Sequence, residues 1–110
     1  MTESKTRAAV YIRTAAHNDA AAEEQRRECM QYIERMGYQF AGEYVDLGAS
    51  GIRNIRKAFD AITVDAHIGE IDKIVVHSFS RISRSMRDAV SFCSDLKESC
   101  GVIIESAEEE

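Results

Sequence analysis

The sequence predicts an α/β domain built on a mostly parallel sheet of four to five strands with helices on both faces. Segments of strand character and of helical periodicity follow one another in the order β-α-β-α-β-α-β, the pattern of a parallel sheet joined by right-handed crossovers. The first strand segment is a near-continuous apolar run, as a strand covered on both faces requires. With 110 residues, 45% of them hydrophobic and 30% charged, the chain has material for one compact core and is far from the composition of a disordered segment. A single domain spanning residues 1–110 is expected.

Arg7 to Arg13 is the first strand, with Ala8, Ala9, Val10, Tyr11 and Ile12 in succession. Ala20 to Met36 changes to helical spacing: Ala22, Cys29, Ile33 and Met36 fall near one face, and Glu23, Glu24, Arg26, Arg27 and Glu34 mostly on the other. Asn18 or Asp19 caps this helix and Gly37 ends it. Gln39 to Asp46 alternates as a second strand of mixed exposure, followed by a loop with Gly48 and Gly51. Ile55, Phe59, Ile62 and Ala66 recur at helical spacing, so a second amphipathic helix is expected from Asn54, its cap, to about His67, closing at Gly69. Ile71 to Val76 is the third strand. Ser85-Met86-Arg87-Asp88 has the form of a capping box and opens a third helix with Met86, Ala89, Cys93, Leu96 and Cys100 on its buried face. Val102, Ile103 and Ile104, after Gly101, make the fourth strand.

Several function classes are disfavoured at once. Fourteen Lys+Arg against nineteen Asp+Glu give a net charge of −5, so no global basic field exists and any polyanion site must be a local patch. No apolar stretch is long enough to cross a membrane, and the polar start Met1 to Arg7 is unlike a secretory signal; a soluble, cytoplasmic protein without a membrane partner is expected. Cys29, Cys93 and Cys100 are odd in number and lack C-x-x-C spacing, which points to buried reduced thiols rather than a disulfide framework or a zinc site. Phosphate-loop, dinucleotide and H-E-x-x-H motifs are absent, and His17, His67 and His77 are scattered as surface or boundary residues. No cofactor and no metal are expected. Glu108 to Glu110 reads as a solvated tail.

Ligands of parallel α/β sheets bind at the carboxyl ends of the strands. There this chain carries arginine: Arg13 after the first strand, Arg53 and Arg56 with Lys57 around the second loop, and Arg81, Arg84 and Arg87 after the third. Each guanidinium is a rigid fork of donors matched to phosphate oxygens, and three loops meeting at one sheet edge would concentrate several forks on one oxyanion. The same residues are equally open to a second reading, as surface ion pairs with Asp46, Asp60 and Asp88.

Four separate stretches share a further property. Tyr11-Ile12-Arg13, Gln25, Tyr44-Val45-Asp46 through Ala49-Ser50-Gly51 with Arg56, and Ser80-Arg81-Ile82-Ser83-Arg84-Ser85-Met86-Arg87-Asp88 resemble, in order and spacing, the catalytic domain of serine recombinases, the resolvase/invertase family. The resemblance covers nearly the whole chain. It implies that arginines at Arg13, Arg56, Arg81 and Arg84 surround a DNA phosphodiester and stabilise its transition state, with Gln25 and Ser50 as polar positions of the same site. In that family a serine two residues after the first-strand arginine attacks the phosphate; its position here is Ala15, whose methyl group cannot attack phosphorus. The aspartate before the third-loop arginine is replaced by Ser80, the one before the second-loop arginine by Ile55, and the Pro-Gly after that arginine by Lys57-Ala58. Thr14 lies one residue early, and alternation along an extended strand is expected to aim its hydroxyl away from the arginines.

The resemblance therefore implies a recombinase-type domain in which the arginines remain and the nucleophile is lost: a catalytically silent module that binds DNA phosphates or serves assembly, as a homo-oligomer or with a recombinase partner. Two other readings stand beside it. One is an active recombinase seen as a truncated or serine-to-alanine form; the other is a regulatory protein-interaction module. The family's long dimerisation helix and separate DNA-binding domain are not visible in residues 1–110, so sequence-specific DNA recognition by this stretch alone is not expected.

Overall fold

β1 (Arg7–Arg13) is the strand that the rest of the fold encloses. The structure, a computed structural model, describes residues 5–14, 18–48 and 56–108. After β1 come α1 (Asp19–Met36), β2 (Gln39–Asp46), α2 (Lys57–His67), β3 (Lys73–Val76), a single 3-10 turn (Phe79–Arg81), α3 (Met86–Cys100) and β4 (Ile103–Ser106). The strands form one sheet in the order β2-β1-β3-β4, and every neighbouring pair is parallel. The α/β class, the parallel sheet and the element order match the expectation, with four strands among the described residues.

The apolar run of β1 is split by its pleat between two cores. Ala8, Val10 and Ile12 pack with Ala22, Cys29, Tyr32 and Ile33 of α1 and with Val75. Ala9 and Tyr11 face the other way, into Ile62 and Ala66 of α2, Ala89 and Leu96 of α3, and Ile74, Val76 and Ile104 of the sheet. Burial on both faces is why alternation is absent from this strand. β2 is an edge strand, and it is bulged. The β1/β2 register shifts between Ala8 and Ala9, where Ala8 opposes Phe40 and Ala9 opposes Gly42. Gly42 sits there at φ 139, a conformation that side-chain-bearing residues seldom adopt.

Local capping signals place the outer two helices. The Asn18 side chain accepts from the Ala21 N–H at 3.0 Å, and Gly37 ends α1 in the left-handed conformation. Ser85 accepts from the Asp88 N–H at 3.3 Å to open α3, and Gly101 closes it. α2 departs from expectation. It starts at Lys57 with Arg56 as its N-cap residue, which makes no side-chain cap bond, while Asn54 and Ile55 lie outside the described residues.

Other boundaries and faces also need correction. β3 starts at Lys73, the first residue with a register partner on β1 (Ala8), and β4 runs two residues beyond Ile104 to stay alongside β3 as far as Val76. Met86 is 64% exposed and Met36 47% exposed. Met86 opens α3 and Met36 closes α1, so both sit at helix ends beyond the packed middle turns. Of the three thiols only Cys29 is fully buried; Cys93 and Cys100 are partly exposed, and all three are free. Burial pushes the Cys29 thiol up to about 12, which keeps it protonated and inert.

On the α1 side a carboxylate ties three elements together. Glu105 of β4 accepts from the hydroxyls of Tyr32 (2.7 Å) and Tyr38 (2.8 Å) on one oxygen and from Lys73 Nζ (2.8 Å) on the other. Burial alone would raise the Glu105 carboxyl, but the three donors outweigh it and hold it below the ordinary glutamate value. Its stabilisation is therefore present above the unfolded-state pKa and disappears as pH falls through the lower folded value. Glu105→Gln is expected to cost about 1–2 kcal/mol at neutral pH and to make the remaining stability less sensitive to acid. Urea unfolding of both proteins at neutral and acidic pH checks this: parallel losses in both would contradict it.

Candidate functional site

The carboxyl ends of β1, β2 and β3 deliver Arg13, Asp46 and the 3-10 turn to one edge of the sheet. Two side chains first fix the end of β1. Gln25 of α1, buried, donates from Nε2 to the Arg13 carbonyl at 3.0 Å, and its Oε1 accepts from the Arg13 N–H at 3.4 Å. Arg81 reaches across from the turn and donates from Nη1 to the same carbonyl at 3.3 Å. Arg13 answers with Nη2 on the Ser80 carbonyl at 3.4 Å. Arg81 thus holds the backbone of Arg13, and Arg13 the backbone of the residue that precedes Arg81.

The Nε–H groups of Arg13 and Arg81 are buried and find no acceptor among the described residues. The Arg13 guanidinium is held below its ordinary pKa by burial and then by the charge of Arg56, partly opposed by Tyr11, with smaller lowering effects of Arg81 and Arg84. Arg56, Arg81 and Arg84 are therefore each close enough to act on Arg13. Arg84 is the exposed member of the set.

Beneath them lies a polar relay. The Tyr11 hydroxyl donates to Asp46 Oδ2 at 2.7 Å, and the same carboxylate accepts the N–H groups of Ala58 (2.9 Å) and Phe59 (3.0 Å). Asp46 thereby supplies from β2 the N-terminal cap that α2 lacks locally, where a negative charge is favoured by the helix dipole. Burial, then the Asp46 carboxylate, raises the Tyr11 phenol well above its ordinary value, only partly opposed by Arg56. Arg56 completes the relay: Nε donates to the Tyr11 hydroxyl at 3.2 Å, Nη1 to the Ile82 carbonyl and Nη2 to the Arg81 carbonyl, both at 2.9 Å. Its guanidinium lies 4.0 Å from the centre of the Phe59 ring and 5.5 Å from that of Tyr11.

The structure thus brings together Arg13, Arg56 and Arg81, with Arg84 at the rim and Gln25 behind them. Ala15, Ser50, Arg53 and His17 lie outside the described residues. The Thr14 hydroxyl accepts from the Gly48 N–H at 3.4 Å, toward the loop after β2. Ion pairing is not what gathers the arginines: among the described residues Arg13, Arg56 and Arg81 donate to carbonyls and to Tyr11, and Asp46 is occupied by Tyr11 and α2. His67 contacts the Thr63 carbonyl and Ser99, and His77 pairs with Glu28. No group of three or more His, Cys, Asp or Glu is placed to hold a metal among the described residues. Nor is any described helix long and apolar enough to cross a membrane.

Sequence reasoning assigned no site role to Tyr11 and Asp46. The signal for Tyr11 is its period-two relation to Arg13, which puts both on one face of β1. That for Asp46 is an acidic residue closing a strand at the ligand-binding edge of a parallel sheet.

Residues 8–110 match the family model described as the resolvase N-terminal domain. The chain belongs to this family. The resolvase domain superposes on the N-terminal catalytic domain of TP901-1 integrase with a TM-score of 0.82 and 28% identity, over 93% of this chain and 78% of that one. It shares its fold with a resolvase family site-specific recombinase from Streptococcus pneumoniae (TM-score 0.81, 24% identity, 94% of this chain and 73% of that one). The C-terminal catalytic domain of ISC1926 TnpA, an IS607-like serine recombinase, is similar too (TM-score 0.77, 20% identity, 94% and 71%). A search of curated proteins finds no match. The chain is thus a resolvase N-terminal domain by family and shares its fold with these recombinase and integrase catalytic domains.

Asp46→Ala in the resolvase domain removes the α2 cap and the Tyr11 acceptor together. A loss of about 2–4 kcal/mol is expected, against about 1–2 kcal/mol for Tyr11→Phe, which deletes the phenol's two hydrogen bonds, to Asp46 and from Arg56. Denaturant unfolding of the two variants checks the ranking; equal costs would show that the cap contributes nothing.

Proposed function

We propose that this domain binds DNA phosphates through Arg13, Arg81 and Arg84, supported by Gln25 and Arg56, and does not cleave the strand. The observation that carries the binding half is the convergence of Arg13 and Arg81 with two buried Nε–H donors that the described protein leaves without an acceptor. Neighbouring cations repel one another, and an anion with several oxygens would relieve that repulsion while accepting the remaining donors. Family membership supports DNA as the source of the phosphate. The silent half rests on Ala15, two residues after Arg13, where the resemblance requires a hydroxyl. Ser50 belongs to the same proposal as a polar position of the site.

A second reading, an assembly module that pairs with another copy or with a recombinase, is favoured by one observation. Met86 and Val90 are exposed at i, i+4 on α3, and with Phe79, Cys93 and Ile104 they line an apolar groove of about 250 Å³.

The two readings separate in solution. Anisotropy titration of a short labelled duplex against salt is expected to give binding that weakens linearly in log–log form. Arg81→Ala and Arg13→Ala should each reduce the slope by about 0.9. Unchanged affinity in Arg81→Ala would end the phosphate reading, and salt-insensitive self-association without DNA binding would favour assembly. A nicked suicide-substrate duplex should leave no covalent adduct on a denaturing gel. An adduct would overturn the silent half, and cleavage only after Ala15→Ser with Ser80→Asp would identify the missing groups.

A further inference from the structure

Arg56 carries the charge and position of a phosphate ligand, but three of its five N–H donors, one on each nitrogen, are spent on the protein itself. We infer that Arg56 is a positioning residue: it holds the backbone of the 3-10 turn so that Arg81 meets Arg13, and does not itself grip the phosphate. The inference rests on the phosphate reading above and assigns the division of labour within that site.

A guanidinium has three nitrogens, and each of those of Arg56 already has a protein acceptor: Tyr11 Oη for Nε, the Ile82 carbonyl for Nη1 and the Arg81 carbonyl for Nη2. Its two terminal nitrogens form a fork, the geometry that would otherwise grip two phosphate oxygens, and here that fork spans two consecutive carbonyls. Phe59 lies against the plane at 4.0 Å and covers one of its faces. To present the fork to a phosphate, Arg56 would have to release both carbonyls and leave them partly buried and unpaired, a cost comparable to the new bonds gained.

The turn needs this support. Its own backbone bonds are short-range, Arg81 N–H to the Ser78 carbonyl and Ile82 N–H to the Phe79 carbonyl at 3.0 Å and Ser83 N–H to the Phe79 carbonyl at 3.4 Å, and Arg13 Nη2 reaches only the Ser80 carbonyl. Its last carbonyls have no following helical turn to bond them. Arg56 supplies those donors from the start of α2, where Asp46 and Tyr11 hold it. The Arg81 carbonyl and the Arg81 guanidinium belong to one residue, so fixing the first fixes the origin of the second. The result is a continuous path from Asp46 through Tyr11 and Arg56 to Arg81 and Arg13.

Arg56→Lys is the informative change, since an ammonium keeps the charge but cannot span two carbonyls. With a short labelled duplex as probe, Arg56→Lys is expected to weaken binding about tenfold in the otherwise unaltered chain and to change nothing further in the Arg81→Ala background. A direct phosphate ligand would behave differently, with Arg56→Lys weakening binding further in the Arg81→Ala background as well, and that result overturns the inference. Amide hydrogen exchange gives a second readout that needs no DNA. The Arg81, Ile82 and Ser83 amides should exchange faster in Arg56→Lys while β1 and β3 amides keep their protection. Unchanged exchange at the turn overturns the inference even if DNA binding suffers. If Arg81→Ala leaves DNA affinity intact, the phosphate reading fails instead, and exchange alone decides whether Arg56 holds the turn. Should Arg56→Lys not fold, Tyr11→Phe leaves Arg56 in place but removes its Nε acceptor together with the phenol's bond to Asp46, and is expected to shift both readouts the same way by a smaller factor.

Discussion

Asp46 takes up three donors from two separate chain segments, β1 and α2, on one buried carboxylate. A carboxylate at this depth is costly unless its lone pairs are satisfied, and here a phenol and two helix N–H groups satisfy them. Without it α2 would begin with orphaned donors and the Tyr11 hydroxyl would lose its acceptor. Because Tyr11 in turn accepts from Arg56, the orientation of the cation at the start of α2 follows from the position of an anion at the end of β2. The arrangement is possible because parallel strands end at the same edge, which lets residues far apart in sequence meet within hydrogen-bonding distance.

The two faces of the sheet solve the same problem with different partners. On the α1 face a carboxylate from β4 gathers two tyrosines and a lysine. At the carboxyl edge the gathered groups are cations, and their ligands within the protein are carbonyl oxygens rather than acids. Carbonyl partners leave the positive charge uncancelled, so a chain of net charge −5 still presents a concentrated cationic site. Ion pairing would have neutralised it.

Much of this was legible from local sequence. The apolar run of β1, the Asn18 and Ser85 caps and the glycines closing α1 and α3 are short-range signals, and each landed where the pattern places it. The arginines after β1 and β3 were readable as a converging set because the topology was readable. What escaped was non-local. The start of α2 is set by Asp46, ten or more positions earlier in the chain, so no inspection of the Asn54 neighbourhood could find it. Helical periodicity put Met36 and Met86 on buried faces, since it has no knowledge of where a helix overhangs the sheet. Gln25 read as a polar site residue, whereas both ends of its amide are engaged with the Arg13 backbone.

The placement of β1 has a consequence for how the chain acquires its shape. This strand lies between β2 and β3, and its start is bonded to Asp72, 65 residues away. Its hydrogen-bonding edges are thus completed by segments separated from it by one and by two helices. Loop closure of that span must precede any reward from the second edge, which raises the entropic barrier relative to a meander of adjacent hairpins. Until β3 arrives, the apolar run Ala8 to Ile12 keeps one edge open, an adhesive stretch of a nascent molecule. The same burial that makes β1 the axis of the mature domain makes it a point of hazard during assembly.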